Sequence, residues 1–301
     1  MMKTKTLPHI IAHRGLSYVY PEQTSASYKA AIAVGADAIE CDVHLTKDQE
    51  VICVHDFDLK RVAGVNKNVE DLTLDELKKI DVSAHKGGMR GQEDPELTAQ
   101  LGITEAEKKT IMTLAELIDL INETSSDVGL IIETKQPSPF GAELEKGIVA
   151  VLKEKGMINQ DGRLDPRVQF MSFSPDSIKQ LKQEFPETIC VQLIDSLTDE
   201  EYCEEIGITQ DQKQELLDMG EANVESLKYC GFGVNELDFF KEKLTDWAQE
   251  GISLRCFTVN TQEQFQSLRD ELGLENLDYI ITDRVDYIRK LLEQTESIAQ
   301  G

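Results

Sequence analysis

Long apolar segments and positive charge are both scarce in this sequence. No run approaches the roughly 18 consecutive apolar residues that a transmembrane helix needs, so we expect no membrane span. The 301 residues carry 31 Lys and Arg against 56 Asp and Glu, which gives a formal net charge of −25 at pH 7. Such a surface repels phosphates, which argues against nucleic acid and against stable association with anionic membranes. An anionic small-molecule substrate would therefore need a local cation to hold it.

Paired cysteines are also absent. The six cysteines are widely spaced and form no C-x-x-C pair: Cys41, Cys53, Cys190, Cys203, Cys230 and Cys256. This pattern favours buried free thiols over disulfides or a zinc site. Residues 1–8 are polar and offer no apolar region of a signal peptide, so we expect a cytoplasmic protein.

Short apolar runs alternate with amphipathic helical patterns along the chain. Strands are predicted at His9–His13, Ala38–His44, Val51–His55, Gly129–Thr134, Val168–Ser172, Ile189–Ile194, Gly231–Asn235, Leu254–Val259 and Tyr279–Thr282. Helices are predicted at Gln23–Val34, Thr113–Glu123, Gly141–Lys155, Pro175–Phe185, Gln210–Cys230, Leu237–Gly251, Gln262–Leu272 and Asp286–Ser297. Strands that alternate with helices imply a parallel sheet, and about eight such units predict an α/β fold, a closed (β/α)8 TIM-like barrel.

One connection is too short for a parallel crossover. Only Leu45–Glu50 separates the strand Ala38–His44 from the strand Val51–His55, whereas a crossover needs about a dozen residues. These two strands should form a hairpin, which brings His55 opposite the end of the first strand. Whether Val51–His55 is one of the eight barrel strands stays open; if it is, the strand at Gly231–Asn235 is in doubt.

The segment Phe57–Lys109 lacks the alternation of the rest of the chain. A capped helix pattern at Thr73–Leu77 precedes a loop rich in glycine and charge around His85. So long an interruption between barrel elements usually forms a small insertion over the active face. We therefore predict one catalytic barrel domain, residues 1–301, with an insertion subdomain at 57–109.

Functional side chains fall at or just beyond the ends of predicted strands that are far apart in sequence. These residues are His13, Glu40, Asp42, Glu133, Lys135 and Phe173. Because barrel active sites lie at the carboxyl ends of the strands, this coincidence predicts one shared site. Phe173 would form a wall of its cleft, with core packing as the alternative.

Two acids set one residue apart indicate a cation site. Glu40 and Asp42 point to the same face of their strand and repel each other unless a cation lies between them. Oxygen ligands suit Mg²⁺ or Ca²⁺ better than zinc. Glu133 can complete the metal shell while Lys135 meets a phosphate oxygen. The alternatives are solvent-facing acids at a strand end and an ordinary Glu–Lys pair at the rim.

Histidine is scarce, with five copies in the chain. His13 and His55, both near the proposed acids, are predicted to act as general acid and general base. Arg14 can hold two phosphate oxygens through its planar guanidinium, the alternative being a rim ion pair. His44 and His85 are interpreted as structural or solvent-facing residues.

Several short motifs share one family pattern. They are His13-Arg14-Gly15, Pro21-Glu22-Gln23-Thr24, Glu40-Cys41-Asp42, Thr46-Lys47-Asp48, His55-Asp56, Ile132-Glu133-Thr134-Lys135, Ser172-Phe173, Phe257-Thr258-Val259-Asn260 and Ile281-Thr282-Asp283-Arg284. Together they resemble the glycerophosphodiester phosphodiesterase family over nearly the whole chain. The sequence departs from the family pattern at Gln23, where Asn is usual, at Phe257, where Trp is common, and at Gln49-Glu50, where Gly is frequent.

The resemblance implies hydrolysis of glycerophosphodiesters to glycerol 3-phosphate and an alcohol, with one divalent cation, in a (β/α)8 barrel. By matching position it implies metal binding by Glu40, Asp42 and Glu133, acid–base catalysis by His13 and His55, phosphate binding by Arg14 and Lys135, and a place in the substrate cleft for Glu22.

Two other hypotheses keep the barrel and change the function. One is a phospholipase D-like enzyme or phosphoinositide phospholipase that acts on lipid phosphodiesters, which would need an apolar, membrane-docking rim. The other is a barrel that binds phosphodiesters without turnover, which would lack a histidine or an acid of the site. The sequence leaves the head group, the nucleophile, the identity of the general base and the oligomeric state open.

Overall fold

Eight parallel strands close into a barrel in the computed structural model of the protein, which describes residues 7–84, 91–124, 127–197 and 209–300. In chain order the strands are β1 His9–Ala12, β2 Ala38–Leu45, β3 Val51–Cys53, β4 Asp58–Leu59, β5 Val65–Asn68, β6 Gly129–Thr134, β7 Val168–Ser172, β8 Cys190–Ile194, β9 Tyr229–Gly233, β10 Ser253–Phe257 and β11 Leu277–Thr282. The barrel consists of β1, β2 and β6 to β11, and it closes because β1 pairs with both β11 and β2. The predicted (β/α)8 barrel is confirmed.

Helices surround the barrel strands, and three short ones, α2 to α4, lie in the segment between β3 and β6. They are α1 Ser25–Ala33, α2 Lys60–Ala63, α3 Leu74–Leu77, α4 Pro95–Leu101, α5 Leu114–Thr124, α6 Glu143–Glu154, α7 Pro175–Glu184, α8 Gln210–Leu227, α9 Leu237–Gln249, α10 Gln262–Ser267 and α11 Val285–Gln300. A single π-helical turn, Leu268–Leu272, continues α10. No helix within the described ranges combines the length and the apolar character needed to cross a lipid bilayer.

The short connection does form a hairpin. Strand β3 pairs antiparallel with the outer end of β2, opposite Val43, His44 and Leu45. It therefore lies beside the barrel and is not one of its eight strands. The strand predicted at Gly231–Asn235 is a barrel strand, but its position was wrong by two residues, since β9 ends at Gly233. The left-handed Lys228 ends α8 early, and a 3-10 turn begins at Val234.

Two apolar clusters show which strand residues face inward. The inner cluster consists of strand residues alone: Ile11, Ala38, Ile131, Met171, Val191, Leu193 and Ile281. The outer cluster joins the alternate strand residues, such as Ile39, Cys41 and Val43, to the surrounding helices. Because side chains alternate along a strand, Glu40 and Asp42 on β2 point into the barrel, at the end where the strands finish.

The segment after the hairpin has a small core of its own. Strands β4 and β5 pair antiparallel, and short helices follow. Their apolar residues form a cluster with hairpin residues Ile52 and Val54: Leu59, Val62, Val69, Leu72, Leu77, Val82 and Ile111. This cluster seats residues from the 57–109 segment on β3. His85 lies outside the described residues, and so does Cys203; the other five cysteines are free and buried, as expected.

The turn after β1 requires glycine at Gly15 for two reasons. Gly15 has φ of +85°, and a Cβ there would lie 2.7 Å from the carbonyl carbon of Ser27. Gly35 has nearly the same φ, +87°, but a Cβ there would come no closer than 3.7 Å to any neighbour, the Nε of Arg289. The close approach of the Gly15 turn to α1 is thus the feature that distinguishes the two positions.

Replacement of each glycine by alanine should separate these two costs. We expect Gly35→Ala to lower the free energy of unfolding by about 1 kcal/mol, the cost of a left-handed alanine. Gly15→Ala should lower the free energy of unfolding by a further ~1–3 kcal/mol, because the backbone at Ser27 must move. Urea unfolding of both variants measures the difference. Equal losses would show that the turn relaxes without cost.

Candidate active site

Three carboxylates converge at the carboxyl end of the barrel. Glu40 and Asp42 come from β2, and Glu133 comes from the neighbouring strand β6, where it stands directly beside Asp42 in the parallel register. One oxygen of each carboxylate lies within 4.8 Å of the others, and all three side chains are buried. Among the described residues, this is the one group of three or more side chains placed to hold a metal ion.

Burial and mutual repulsion disfavour the ionised form of these carboxylates. Burial, with the charges of Asp42 and Glu133, raises the pKa of Glu40 well above its usual range. Burial likewise raises the pKa of Glu133, although Lys135 opposes the shift. Burial acts on Asp42 too, but the charges of Lys135 and Arg14 outweigh it and hold the pKa of Asp42 below its usual range. The cluster therefore needs positive charge to stay ionised.

Two cations of the chain supply part of that charge. Lys135 Nζ lies 2.8 Å from Asp42 Oδ1 and also contacts Glu133. Arg14 Nε lies 3.0 Å from Asp42 Oδ2. The second oxygen of Glu40, Oε1, is buried and accepts no hydrogen bond from the described residues. Oxygen donors of this kind and number suit a hard divalent cation.

The first βα turn aims Arg14 at the acids. Arg14 has φ of +57°, a left-handed conformation that is uncommon for a residue other than glycine. In this conformation its backbone N–H donates to Glu40 Oε2 at 2.9 Å, and its Nη1 donates to Glu22 Oε1 at 3.3 Å. The strained turn thus holds both ends of Arg14 against carboxylates of the site.

His13 is oriented by a carboxylate that sequence reasoning did not single out. Its Nδ1 lies 2.7 Å from Asp283 Oδ1, just beyond the last barrel strand. Asp283 also accepts hydrogen bonds from Ser17 and Asn260. Burial alone would raise the pKa of Asp283, but the charge and hydrogen bond of His13 lower it to about 2. A signal was present, since the motif Ile281-Thr282-Asp283-Arg284 ends a strand in an acid.

His55 has a matching partner. Its Nδ1 lies 2.6 Å from Asp56 Oδ1, and its backbone carbonyl lies 3.2 Å from the Nε2 of the fully buried His44. Burial and the nearby charges of Arg14 and Lys135 lower the pKa of His55 to about 3. The hairpin carries this histidine to the acids, since Val54 N donates to Asp42 O at 3.0 Å.

Both histidines lie close to the acidic cluster. The charge of either one, His55 or His13, helps lower the pKa of Asp42, although Lys135 and Arg14 act more strongly. The structure therefore brings together the two histidines, the three acids and the two cations that the sequence indicated. His44 stands apart as a buried residue of the hairpin, with its ring edge against Phe57.

Glu22 joins this group through Arg14, whereas Phe173 packs against the inner apolar cluster of the barrel. Glu22 receives two hydrogen bonds from Arg61, to Oε2 at 2.6 Å and to Oε1 at 2.8 Å, beside its contact with Arg14. Burial alone would raise the pKa of Glu22, but Arg14 and Arg61 lower it to about 2. Phe173 packs edge-on against Phe257, with 6.0 Å between ring centroids.

Gln23, noted only as a departure from the family pattern, contacts the cluster directly. Its side-chain amide donates to Asp42 Oδ2 and its carbonyl accepts from Asp42 N, each at 3.0 Å. The pair of bonds fixes one carboxylate of the cluster. The sequence offered no signal for this contact, because Gln23 and Asp42 meet only when α1 docks on β2.

The family pattern is also recognised over most of the chain. Residues 13–287 match the model of the glycerophosphoryl diester phosphodiesterase family. The chain belongs to this family. The expectation from the motifs is confirmed, and the site described above lies wholly within the matched residues.

Individual relatives agree with this membership. A probable glycerophosphodiester phosphodiesterase of Mycobacterium tuberculosis is 31% identical over 179 residues, which is 60% of this chain and 61% of the relative. A lysophospholipase D of Homo sapiens is 42% identical over 85 residues, 27% of each chain. A crystal structure of a Thermotoga maritima glycerophosphodiester phosphodiesterase has a TM-score of 0.61 at 26% identity, covering 96% of this chain and 100% of the other.

The extent of these matches differs between the comparisons. The aligned part spans about three fifths of the length of the first curated relatives, whereas the fold is matched over nearly all of both chains. The fold is therefore shared over nearly the whole chain, and the family over residues 13–287.

Removal of Lys135 should reveal the repulsion within the cluster. The raised pKa of Glu40 means that the folded protein binds this proton more tightly than the unfolded chain. That stabilising contribution is present at low pH and is lost as the pH rises. In Lys135→Met, with chelator present, we expect a loss of about 3 kcal/mol in unfolding free energy at pH 8 and a smaller loss at pH 5.

Lys146→Met is the matched control for this measurement. Lys146 pairs with Glu143 on the exposed face of α6, where both side chains are more than half accessible to solvent (64% and 53%). Its loss should change the unfolding curve little at either pH. A Lys135 variant as stable at pH 8 as at pH 5, relative to the wild type, would contradict the repulsion described above.

Proposed function

We propose that this protein hydrolyses glycerophosphodiesters to glycerol 3-phosphate and an alcohol. The observation that carries the proposal is the convergence of Glu40, Asp42 and Glu133 with two histidines whose Nδ1 atoms are each held by a carboxylate. This is the arrangement that acid–base cleavage of a phosphodiester requires. Membership of the family and the glycerophosphodiesterase names of its relatives support the same reaction.

The acidic cluster would hold one divalent cation, Mg²⁺ or Ca²⁺. The donor set fits, since three buried carboxylates with one free oxygen on Glu40 match the ligands these ions prefer. When bound, the cation would neutralise negative charge on the phosphodiester. Lys135 and Gln23 orient Asp42 for this role from either side.

The two histidines divide the proton transfers in this proposal. Burial and the nearby charges of Arg14 and Lys135 lower the pKa of His55 to about 3, so its imidazole is neutral at pH 7, the form that a general base must have. Asp283 at the Nδ1 of His13 fixes the orientation of that ring, and His13 takes the second role, donation of a proton to the leaving alkoxide. The nucleophile is either water or the 2-hydroxyl of the glycerol moiety, which would form a cyclic phosphate first.

Positively charged side chains bind the phosphate in this proposal. Arg14 and Lys135 both sit against Asp42 and offer further N–H groups to the non-bridging phosphate oxygens. Glu22 holds Arg14 in position, and Phe173 forms a wall of the substrate cleft. The partner implied is a small-molecule substrate, bound in one catalytic barrel domain of residues 1–301 with an insertion subdomain at 57–109.

The direct test is detection of glycerol 3-phosphate from glycerophosphocholine with a coupled dehydrogenase assay. We expect chelator to abolish turnover and Mg²⁺ or Ca²⁺ to restore it. His13→Ala should lower kcat at least ~10³-fold, because proton transfer to the leaving group is lost. His9→Ala is the control, since His9 is an exposed residue at the opposite end of β1. Turnover that is insensitive to chelator, or an unimpaired His13 variant, contradicts the mechanism.

A lipid phosphodiester is the second candidate substrate. The human relative is a lysophospholipase D, and Phe239 in the first turn of α9 is 57% exposed. Against this, the net charge of −25 opposes anionic membranes, and among the described residues the exposed large apolar side chains are Phe239 and Met219 alone. We therefore favour the water-soluble substrate.

A comparison of two substrates with the same head group separates these candidates. We expect kcat/KM for glycerophosphocholine to exceed that for lysophosphatidylcholine at least ~10-fold. The reason is that the acyl chain of the lipid would find no apolar surface of the protein to bury itself against. Phe239→Ser should leave both values unchanged. Preference for the lipid, together with its loss in Phe239→Ser, would instead support the lysophospholipase D activity.

A further inference from the structure

The functions proposed above assign no role to a charged side chain of the insertion that contacts the site. Arg61, on α2, places its guanidinium between Glu22 and Asp56 and makes four hydrogen bonds to them. Nη1 and Nη2 donate to the two oxygens of Glu22 at 2.6 and 2.8 Å. Nε and Nη2 donate to the two oxygens of Asp56 at 2.7 and 3.1 Å.

Both carboxylates that Arg61 contacts touch the proposed machinery. Asp56 Oδ1 accepts from His55 Nδ1 at 2.6 Å, and Glu22 Oε1 also accepts from Arg14 Nη1 at 3.3 Å. Asp56 therefore links Arg61 to His55. Glu22 links it to Arg14, the proposed phosphate-binding residue. Glu22 is nearly buried, at 9% exposure, so it depends on these two arginines for neutralisation.

We propose that Arg61 is a positioning residue for this reaction, an inference that rests on the proposed function. It locks the Asp56 carboxylate in the orientation that presents Nε2 of His55 to the substrate. It also keeps Glu22 from drawing Arg14 away from Asp42. Through this one guanidinium, the insertion contributes to catalysis without touching the substrate.

Planar geometry explains why arginine is needed here. A guanidinium offers five N–H donors in a rigid fork, so it can bridge two carboxylates with a pair of bonds to each. A lysine ammonium carries the same charge at a single point and cannot satisfy four oxygens in this arrangement. Arg61→Lys should therefore retain folding and recover only part of the activity.

The test uses Arg61→Ala and Arg61→Lys in the full-length protein with glycerophosphocholine. We expect kcat of Arg61→Ala to fall about 10–100-fold, the usual effect of losing such a supporting group, with a much smaller change in KM. Guanidinium chloride below denaturing concentration should restore part of kcat, while sodium chloride at equal ionic strength should not. A purely structural residue would not show this rescue.

Arg269→Ala is the matched control for the rescue. Arg269 is an exposed arginine that pairs with its neighbour Asp270 through Nε and Nη2, away from the barrel mouth. Its kcat should equal that of the wild type with or without guanidinium. A general effect of guanidinium on the enzyme would appear in this variant as well and would overturn the rescue argument.

A double-mutant cycle with Asp56→Asn tests the route of the effect. If Arg61 acts through Asp56, the double variant should be little slower than the slower single variant. The inference is overturned if the fold-losses in kcat of the two single variants multiply in the double variant. It is also overturned if kcat of Arg61→Ala equals that of the wild type, or if guanidinium fails to restore kcat. Should Arg61→Ala not fold, Arg61→Lys and Asp56→Asn carry the same cycle. Absence of wild-type turnover contradicts the proposed function itself, a result distinguishable from all of these.

Discussion

Repulsion among three buried carboxylates is the constraint on which the rest of the site depends. Glu40, Asp42 and Glu133 are brought together by the register of β2 and β6, and all three side chains are buried. The neighbouring groups are arranged in response. Lys135 reaches back from the end of β6, and Arg14 accepts a left-handed backbone conformation to reach the same acids. A protein of strongly negative net charge thus places two of its cations beside its buried acids.

The charges around this cluster alternate in sign from one residue to the next. The order of contact is Asp56, Arg61, Glu22, Arg14, Asp42, Lys135 and Glu133. Because each inner member of the series contacts two neighbours of opposite charge, the geometry of any member depends on its neighbours. The two histidines attach to this network through equivalent contacts, His55 through Asp56 and His13 through Asp283. The segment after the hairpin is part of the network because it supplies Arg61.

The barrel could be predicted from the sequence because the patterns that indicate it are local. Apolar runs alternate with amphipathic helices, and the loop between β2 and β3 is too short for anything but a hairpin. The prediction was wrong by two residues at β9, where the strand boundary depends on packing. It did not include β4 and β5, because these strands are too short to show a periodic pattern. The residue types at the strand ends indicated the acids, histidines and cations that the structure brings together. The prediction missed Asp283, Arg61 and Gln23, whose respective contacts with His13, Glu22 and Asp42 join residues 19 or more positions apart.

The amino-acid sequence by itself determined the fold class, the family and the inventory of acids, histidines and cations, because these follow from periodicity and from residue type at strand ends. Only the tertiary structure decided how that inventory is connected. Which carboxylate orients which histidine, which cation neutralises which acid, and whether β3 joins the barrel all depend on contacts across the barrel mouth. Such contacts form when the strands close on one another, and no local pattern along the chain records them.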